Sequence, residues 1–231
     1  MIGKLNKLLF IDIETVGVTK DLKTLHGINP QLHKVWEDTG NEYFKRHYPE
    51  DFKLSSDETY IKRASLLAEF GKVICISVGF ILPDGNIKID TFSGDEKEIL
   101  TQCKDLINRV DNLGFTLCGH NIKNFDLPYI GKRMLVNNIS VPNLIPTYKI
   151  KPWEARVLDT KELWNFNSYR GLSSLELVCA TLNIENPKGG EVTGANMHNY
   201  FYGEGNIKKI TEYCEEDVRS LIKFIKKIEE I

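Results

Sequence analysis

The stretch Lys7-Leu8-Leu9-Phe10-Ile11-Asp12-Ile13-Glu14-Thr15 constrains the fold more than any other part of the chain. It is an apolar, β-branched run that closes on an alternating Ile-Asp-Ile-Glu. Successive side chains of a strand point to opposite faces, so Asp12 and Glu14 share one face while Ile11 and Ile13 take the other. A strand this apolar belongs at the centre of a sheet, and charged groups at its end are costly unless something cationic sits beside them. Two carboxylates at i and i+2 on a rigid strand can share one hard ion, and oxygen-only ligation suits Mg²⁺ or Mn²⁺. The competing reading of this pair is a strand end whose acids simply reach water, since short motifs of this kind also match by chance.

At 231 residues the chain can bury a full core, and it reads as one domain over residues 1–231 with a helical insertion at about 16–67. The net charge of −2 gives no global signal for a polyanion, so a nucleic acid would have to be held by metals and local Lys or Arg. The cysteines, Cys75, Cys103, Cys118, Cys179 and Cys214, are odd in number and contain no CxxC pair. That argues against a disulfide framework or a zinc site, and they read as reduced core residues. The first apolar run is broken by Asp12 before it can form a signal-peptide core, and no stretch approaches membrane-spanning length, so the expectation is a cytoplasmic protein.

Between the first two strands, the region from about Val16 to Leu67 is weakly periodic and rich in large aromatics: Trp36, Tyr43, Phe44, Tyr48, Phe52 and Tyr60. It reads as the helical insertion, a lid or substrate wall in which most of the aromatics pack in a core. Lys72 to Leu82 and Ile87 to Phe92 flank the turn signal Pro83-Asp84-Gly85-Asn86 and read as a hairpin. Asp95 to Val110 has helical spacing, and Phe115 to Gly119 is a short strand beside the first. His120-Asn121-Ile122-Lys123-Asn124-Phe125-Asp126 then opens a helix to about Asn137, with Pro128 tolerated in its first turn. Alone, Asp126 reads as a helix cap and His120 as a packed, hydrogen-bonded histidine.

Farther along, Arg156 to Thr160 reads as a short strand and Ser173 to Leu182 as a helix. The glycine-rich loop Asn186 to Gly194 carries Lys188, either a solvated charge or one that reaches a phosphate or the metal site. The last helix, about Asn206 to Ile228, has an apolar stripe with Asp217 at its edge. Tyr213 and Asp217 are an i, i+4 pair and project together, and an acid on an apolar face is uncommon enough to be informative.

DxE at a strand end, NxxxFD at a strand-to-helix junction and YxxxD on the C-terminal helix occur in the order and contexts of the DEDD exonuclease superfamily, and the tyrosine form resembles its DEDDy branch. More closely, FIDIET, GHNIKNFD, LSSLELVCATLNI, PKGGEV and YCEEDV resemble stand-alone relatives of the proofreading exonuclease domain of family B DNA polymerases. The likeness covers most of the chain outside the insertion. It implies an α/β, ribonuclease-H-like fold: a mixed five-stranded central sheet, three strands antiparallel and two parallel, flanked by helices. It also implies a 3′–5′ exonuclease that hydrolyses phosphodiester bonds from the 3′ end of nucleic acid, single-stranded DNA first, and releases nucleoside 5′-monophosphates.

Carried over by position, Asp12, Glu14, Asp126 and Asp217 are the metal ligands, and Tyr213 orients or deprotonates the attacking water. Thr15, Asn121 and Phe125 fall near the terminal nucleotide, with Lys188 a further substrate-binding candidate. The implied cofactor is two ions, Mg²⁺ or Mn²⁺, about 4 Å apart, which generate a nucleophile near neutral pH and stabilise the developing charge. The alternatives are an exoribonuclease and a non-catalytic nucleic-acid-binding module on the same fold. Replication or repair proteins are candidate partners, and the oligomeric state is left open.

Overall fold

The structure is a computed structural model that describes residues 5–151, 153–166, 168, 173–185, 191–203 and 205–230. Its strands are β1 (Leu8–Gly17), β2 (Gly71–Ile81), β3 (Ile87–Ser93), β4 (Thr116–Gly119) and β5 (Val157–Asp159), joined in one sheet in the order β3-β2-β1-β4-β5. The pairs β1–β2 and β2–β3 are antiparallel, and β1–β4 and β4–β5 are parallel. This is the mixed α/β sheet that the sequence predicts, with the Asp12–Glu14 strand at its centre.

β1 is buried at every position except Asp12, which is half-buried. Its odd residues Leu9, Ile11 and Ile13 pack into one core, and its even residues Leu8 and Phe10 into another on the opposite face. Such two-sided burial is what a near-continuous apolar run buys in a sheet interior. A bulge follows Glu14, because Glu14 pairs with Cys75 while Thr15 pairs with Val73, leaving Ile74 as the extra residue of β2.

Between β1 and β2 the chain forms α1 (Leu22–Ile28), α2 (Pro30–Val35), α3 (Asn41–His47) and α4 (Ser56–Arg63), with a π-helical turn at Trp36–Gly40. Asp21, Asn29 and Ser55 cap these short helices, the last through a reciprocal capping box with Glu58. Trp36, Phe44 and Tyr60 form a core here with Leu22, Leu25 and Phe70, and the Trp36 ring meets Tyr60 and Phe70 edge-on at 5.0 Å. Tyr48 packs beside them, whereas Tyr43 and Phe52 are exposed.

On one face of the sheet, α5 (Glu96–Asn112) and α6 (Asp126–Val136) cover Leu9, Ile11 and Ile13. Arg133 of α6 forks onto Glu96 of α5, with Nε and Nη2 at 2.8 and 2.7 Å from its two carboxylate oxygens. After β5 come α7 (Thr160–Asn165), α8 (Leu175–Thr181), α9 (Met197–Gly203) and α10 (Ile207–Glu229). Helix α10 crosses the other face with Ile210, Cys214, Val218, Leu221 and Ile225 buried. It lies so close to β2 that a Cβ at Gly79 would stand 2.6 Å from Val218 Cγ1, so only glycine admits this approach. All five cysteines are buried and free. No described helix is long and apolar enough to cross a membrane.

Candidate active site

The even side of β1 carries Asp12 and Glu14 towards α10. The ligand atoms of Asp12, Glu14 and Cys214 lie within 4.8 Å of one another. The Cys214 thiol donates to the Asp12 backbone carbonyl and to its Oδ2, each at 3.4 Å. Burial, then its neighbour Cys75 and the two carboxylates, push the thiol well above its ordinary range, so it stays protonated and acts as a donor.

Asp126 opens α6 and is nearly fully buried. The reason lies in β1. Its parallel pairing with β4 runs from Leu8 to Phe10, and β4 stops at Gly119, so the Ile13 N–H extends past the last partner strand. The Asp126 carboxylate takes that N–H together with its own backbone N–H. Burial, reinforced by repulsion from Asp159 and Asp217, nevertheless raises its pKa to about 7. Asp217 is buried on α10, one turn after Tyr213. Tyr213 itself is half-buried against a cluster that includes Val16, Ile74 and Met197. Asp12 and Glu14 are thus one close pair, Asp126 and Asp217 another electrostatically linked pair, and Tyr213 stands beside the end of β1.

The other sequence-predicted residues surround this centre unevenly. Thr15 is buried on the α6 side, opposite Asp12 and Glu14, where its hydroxyl donates to the Ser65 carbonyl at 2.9 Å. Asn121 adopts a left-handed φ of 63°, and its side-chain oxygen accepts from Asn124 Nδ2 at 3.3 Å and from Lys161 Nζ at 3.5 Å. Phe125 is half-buried with its ring 5.4 Å from that of Tyr129. Lys188 lies outside the described residues. His120 bonds Thr160 and the Ser173 carbonyl and is a packed histidine, as its sequence reading holds.

Two residues in contact with the candidate site escape the sequence reading. Cys214 sits in the apolar stripe of α10 and looks like any core cysteine. Asp159 is 2% exposed and accepts from the backbone N–H groups of Asn121, Lys123 and Lys161 at 2.9–3.1 Å, which fixes the loop ahead of Asp126. Its sequence signal is the capping pattern Asp-Thr-Lys-Glu at the start of α7, which specifies a helix start without revealing the loop it also holds.

A five-stranded mixed sheet with an acid pair on its central strand, a third acid where a helix leaves β4 and a fourth on the helix crossing that strand defines a ribonuclease-H-like exonuclease fold. Residues 64–223 match the family described as predicted 3′-5′ exonucleases related to the exonuclease domain of PolB, and the chain belongs to that family. The match includes Asp126, Tyr213 and Asp217, whereas Asp12 and Glu14 precede it. Among solved structures, the family B DNA polymerase from the hyperthermophilic archaeon Pyrobaculum calidifontis aligns with a TM-score of 0.61 at 15% identity, a likeness of fold. The alignment covers 96% of this chain and 24% of the polymerase, so this chain spans about a quarter of that protein. No curated protein matches the chain.

Proposed function

We propose that the chain is a metal-dependent 3′–5′ exonuclease that releases nucleoside 5′-monophosphates from single-stranded DNA. In this reading Asp12, Glu14, Asp126 and Asp217 hold two Mg²⁺ or Mn²⁺ ions, and Tyr213 positions the attacking water. The supporting observation is the electrostatics of the acids: Asp12 and Glu14 have ligand atoms within 4.8 Å of Cys214 and of each other, and Asp126 is pushed to about 7 by burial and then by repulsion from Asp159 and Asp217. Carboxylates held this close and largely out of water repel one another, and a divalent cation would relieve that repulsion. The donor set fits hard divalent cations, because the acids offer oxygen and the protonated Cys214 thiol donates to Asp12 instead of competing as a ligand.

Bound ions of this kind supply a nucleophile near neutral pH and neutralise charge that develops on the phosphate. The chain supplies positioning. β1, paired with β2 along Phe10 to Gly17 and with β4 just before Asp12, holds Asp12 and Glu14, and the Cys214 S–H orients the Asp12 carboxylate. Asp159 locks the loop that carries Asn121 and delivers Asp126. The Tyr213 hydroxyl orients a water for attack on phosphorus, with the P–O3′ bond breaking in line and the 3′ oxygen leaving with a proton.

The test is digestion of DNA and RNA strands of one sequence, labelled at the 5′ end, with Mg²⁺, Mn²⁺ or EDTA. The expected result is metal-dependent shortening of the DNA strand from its 3′ end. Preferential shortening of RNA would transfer the substrate assignment, and binding without any shortening would leave a nucleic-acid-binding module.

A further inference from the structure

We infer that residues 146–151 and 153–155, with the adjoining turn before α6, form a stacking platform for unpaired bases that lie upstream of the reacting 3′ end. The inference rests on the reading of the carboxylates as a nuclease site, and it names a second, separate contact for the same strand.

The segment interleaves cations with aromatics: Tyr148, Lys149, Lys151 and Trp153. Tyr148 is 93% and Trp153 78% exposed, so two large rings stand largely in water. The Lys149 ammonium is 5.8 Å from the Tyr148 ring centre, and that of Lys151 is 5.5 Å from the Trp153 ring centre. Neither lysine forms an ion pair among the described residues, although most of the other charges nearby are paired. Lys123 meets Glu162 at 2.5 Å, and Arg156 meets Asp111.

In the same segment, Ile150 and Thr147 line a cavity of about 320 Å³ whose wall also includes Lys123, Leu127 and Pro128. Glu162 forms part of that wall and also of a second cavity of about 540 Å³, lined by Asn121, Asn124 and Lys161. The segment that carries the exposed rings thus shares one cavity with Lys123, Leu127 and Pro128, the residues that flank Asp126 in sequence.

The chemistry that fits this surface is a flexible polyanion with accessible π-faces. Ammonium groups take phosphates, and exposed rings take bases without regard to sequence. A duplex, whose bases already stack on each other, offers no face to Tyr148 or Trp153. With a net charge of only −2 over the whole chain, Lys149 and Lys151 outweigh Glu154, the one acid of the segment, and set the local field.

The test compares wild type with two double variants, Tyr148→Ala with Trp153→Ala, and Lys149→Ala with Lys151→Ala. Binding of fluorescent DNA and RNA strands of about ten nucleotides, and of the corresponding dinucleotides, is measured by anisotropy in EDTA. Hydrolysis with Mg²⁺ is followed on the same strands and on the p-nitrophenyl ester of thymidine 5′-monophosphate, which occupies the terminal position only. Loss of both rings is expected to weaken the long strand about ten- to a hundredfold relative to the dinucleotide, and to lower strand turnover relative to ester turnover by a similar factor. Loss of both lysines is expected to reduce the slope of log affinity against log salt by about 1.4.

Trp36 is fully buried and Trp164 is half-buried, so quenching of tryptophan emission by the long strand, lost in Trp153→Phe while affinity persists, would place a base on that ring. Long-strand affinity, emission and salt slope all unchanged across the variants would overturn the platform. If wild type turned over neither ester nor strand, yet strand binding still depended on Tyr148 and Trp153, the platform would stand and the nuclease reading would fall.

Discussion

Asp126 sits almost wholly out of water near two other carboxylates, and burial with that repulsion lifts its pKa from 3.8 to about 7. The sign of the resulting pH dependence follows directly. The folded state keeps the proton that the unfolded chain has already lost, so the stability contributed by the neutral acid is fully present below pH about 4 and is lost as pH rises through about 7. Metal-free wild type should melt at progressively lower temperature across that window, and Asp126→Asn should flatten the curve; parallel curves for the two proteins would contradict this. At Tyr213, removal of the hydroxyl in Tyr213→Phe is expected to slow single-turnover hydrolysis by up to ~10²–10⁴-fold, the range for a positioned proton-transfer group. Unchanged rates would make Tyr213 a packing residue. Asp12, Glu14 and Asp217 stand out in the sequence because each breaks a local rule, charges at the end of an apolar strand or an acid on an apolar helix stripe, whereas Asp126 reads alone as a cap and stands out only through the resemblance. Asp159 and Cys214 break none, since one is an ordinary cap and the other an ordinary core cysteine until the loop and strand they touch are known.

Among elements, the long periodic ones follow from the sequence closely. α5 begins one residue after its Asp95 cap, and α10 spans Ile207–Glu229 against a predicted helix of about 206–228. The short helices α7 and α9 escaped, because six or seven residues cover less than two turns and give periodicity little to act on. The approach of α10 to β2 is equally invisible in sequence, although it positions Tyr213 and Asp217 over β1. It depends on Gly79, whose replacement by alanine would bring a methyl to 2.6 Å from Val218 Cγ1 and 2.8 Å from Ile222 Cδ1. Gly79→Ala is therefore expected to cost about 1–3 kcal/mol, read as a lower denaturant midpoint, and to reduce hydrolysis because α10 must shift away from β1. A variant as stable and as active as wild type would show that the helix can move without disturbing the acids.

For the whole molecule, the mixed five-stranded sheet agrees with the expectation drawn from the motifs, and the wide region between β1 and β2 is where sequence says least. Its core of Trp36, Phe44 and Tyr60 joins α1 to α4 through contacts between residues far apart in sequence, which no short window contains. On the proposed reading, function at this scale is a linkage between metal and fold. A cation that binds the folded acids alone, at a hundredfold excess over its dissociation constant, adds about 2.7 kcal/mol, so Mg²⁺ or Mn²⁺ should raise the melting temperature by roughly 5–10 °C. Identical melting in EDTA and in millimolar metal would contradict the ligand set. The central claim is tested most directly by a single strand labelled in its last 3′ nucleotide and incubated with wild type or Asp12→Ala in Mg²⁺. The account predicts that wild type releases the label first, as a nucleoside 5′-monophosphate, while Asp12→Ala stays folded and releases none. Label emerging in internal fragments, or at equal rates from both proteins, would contradict it.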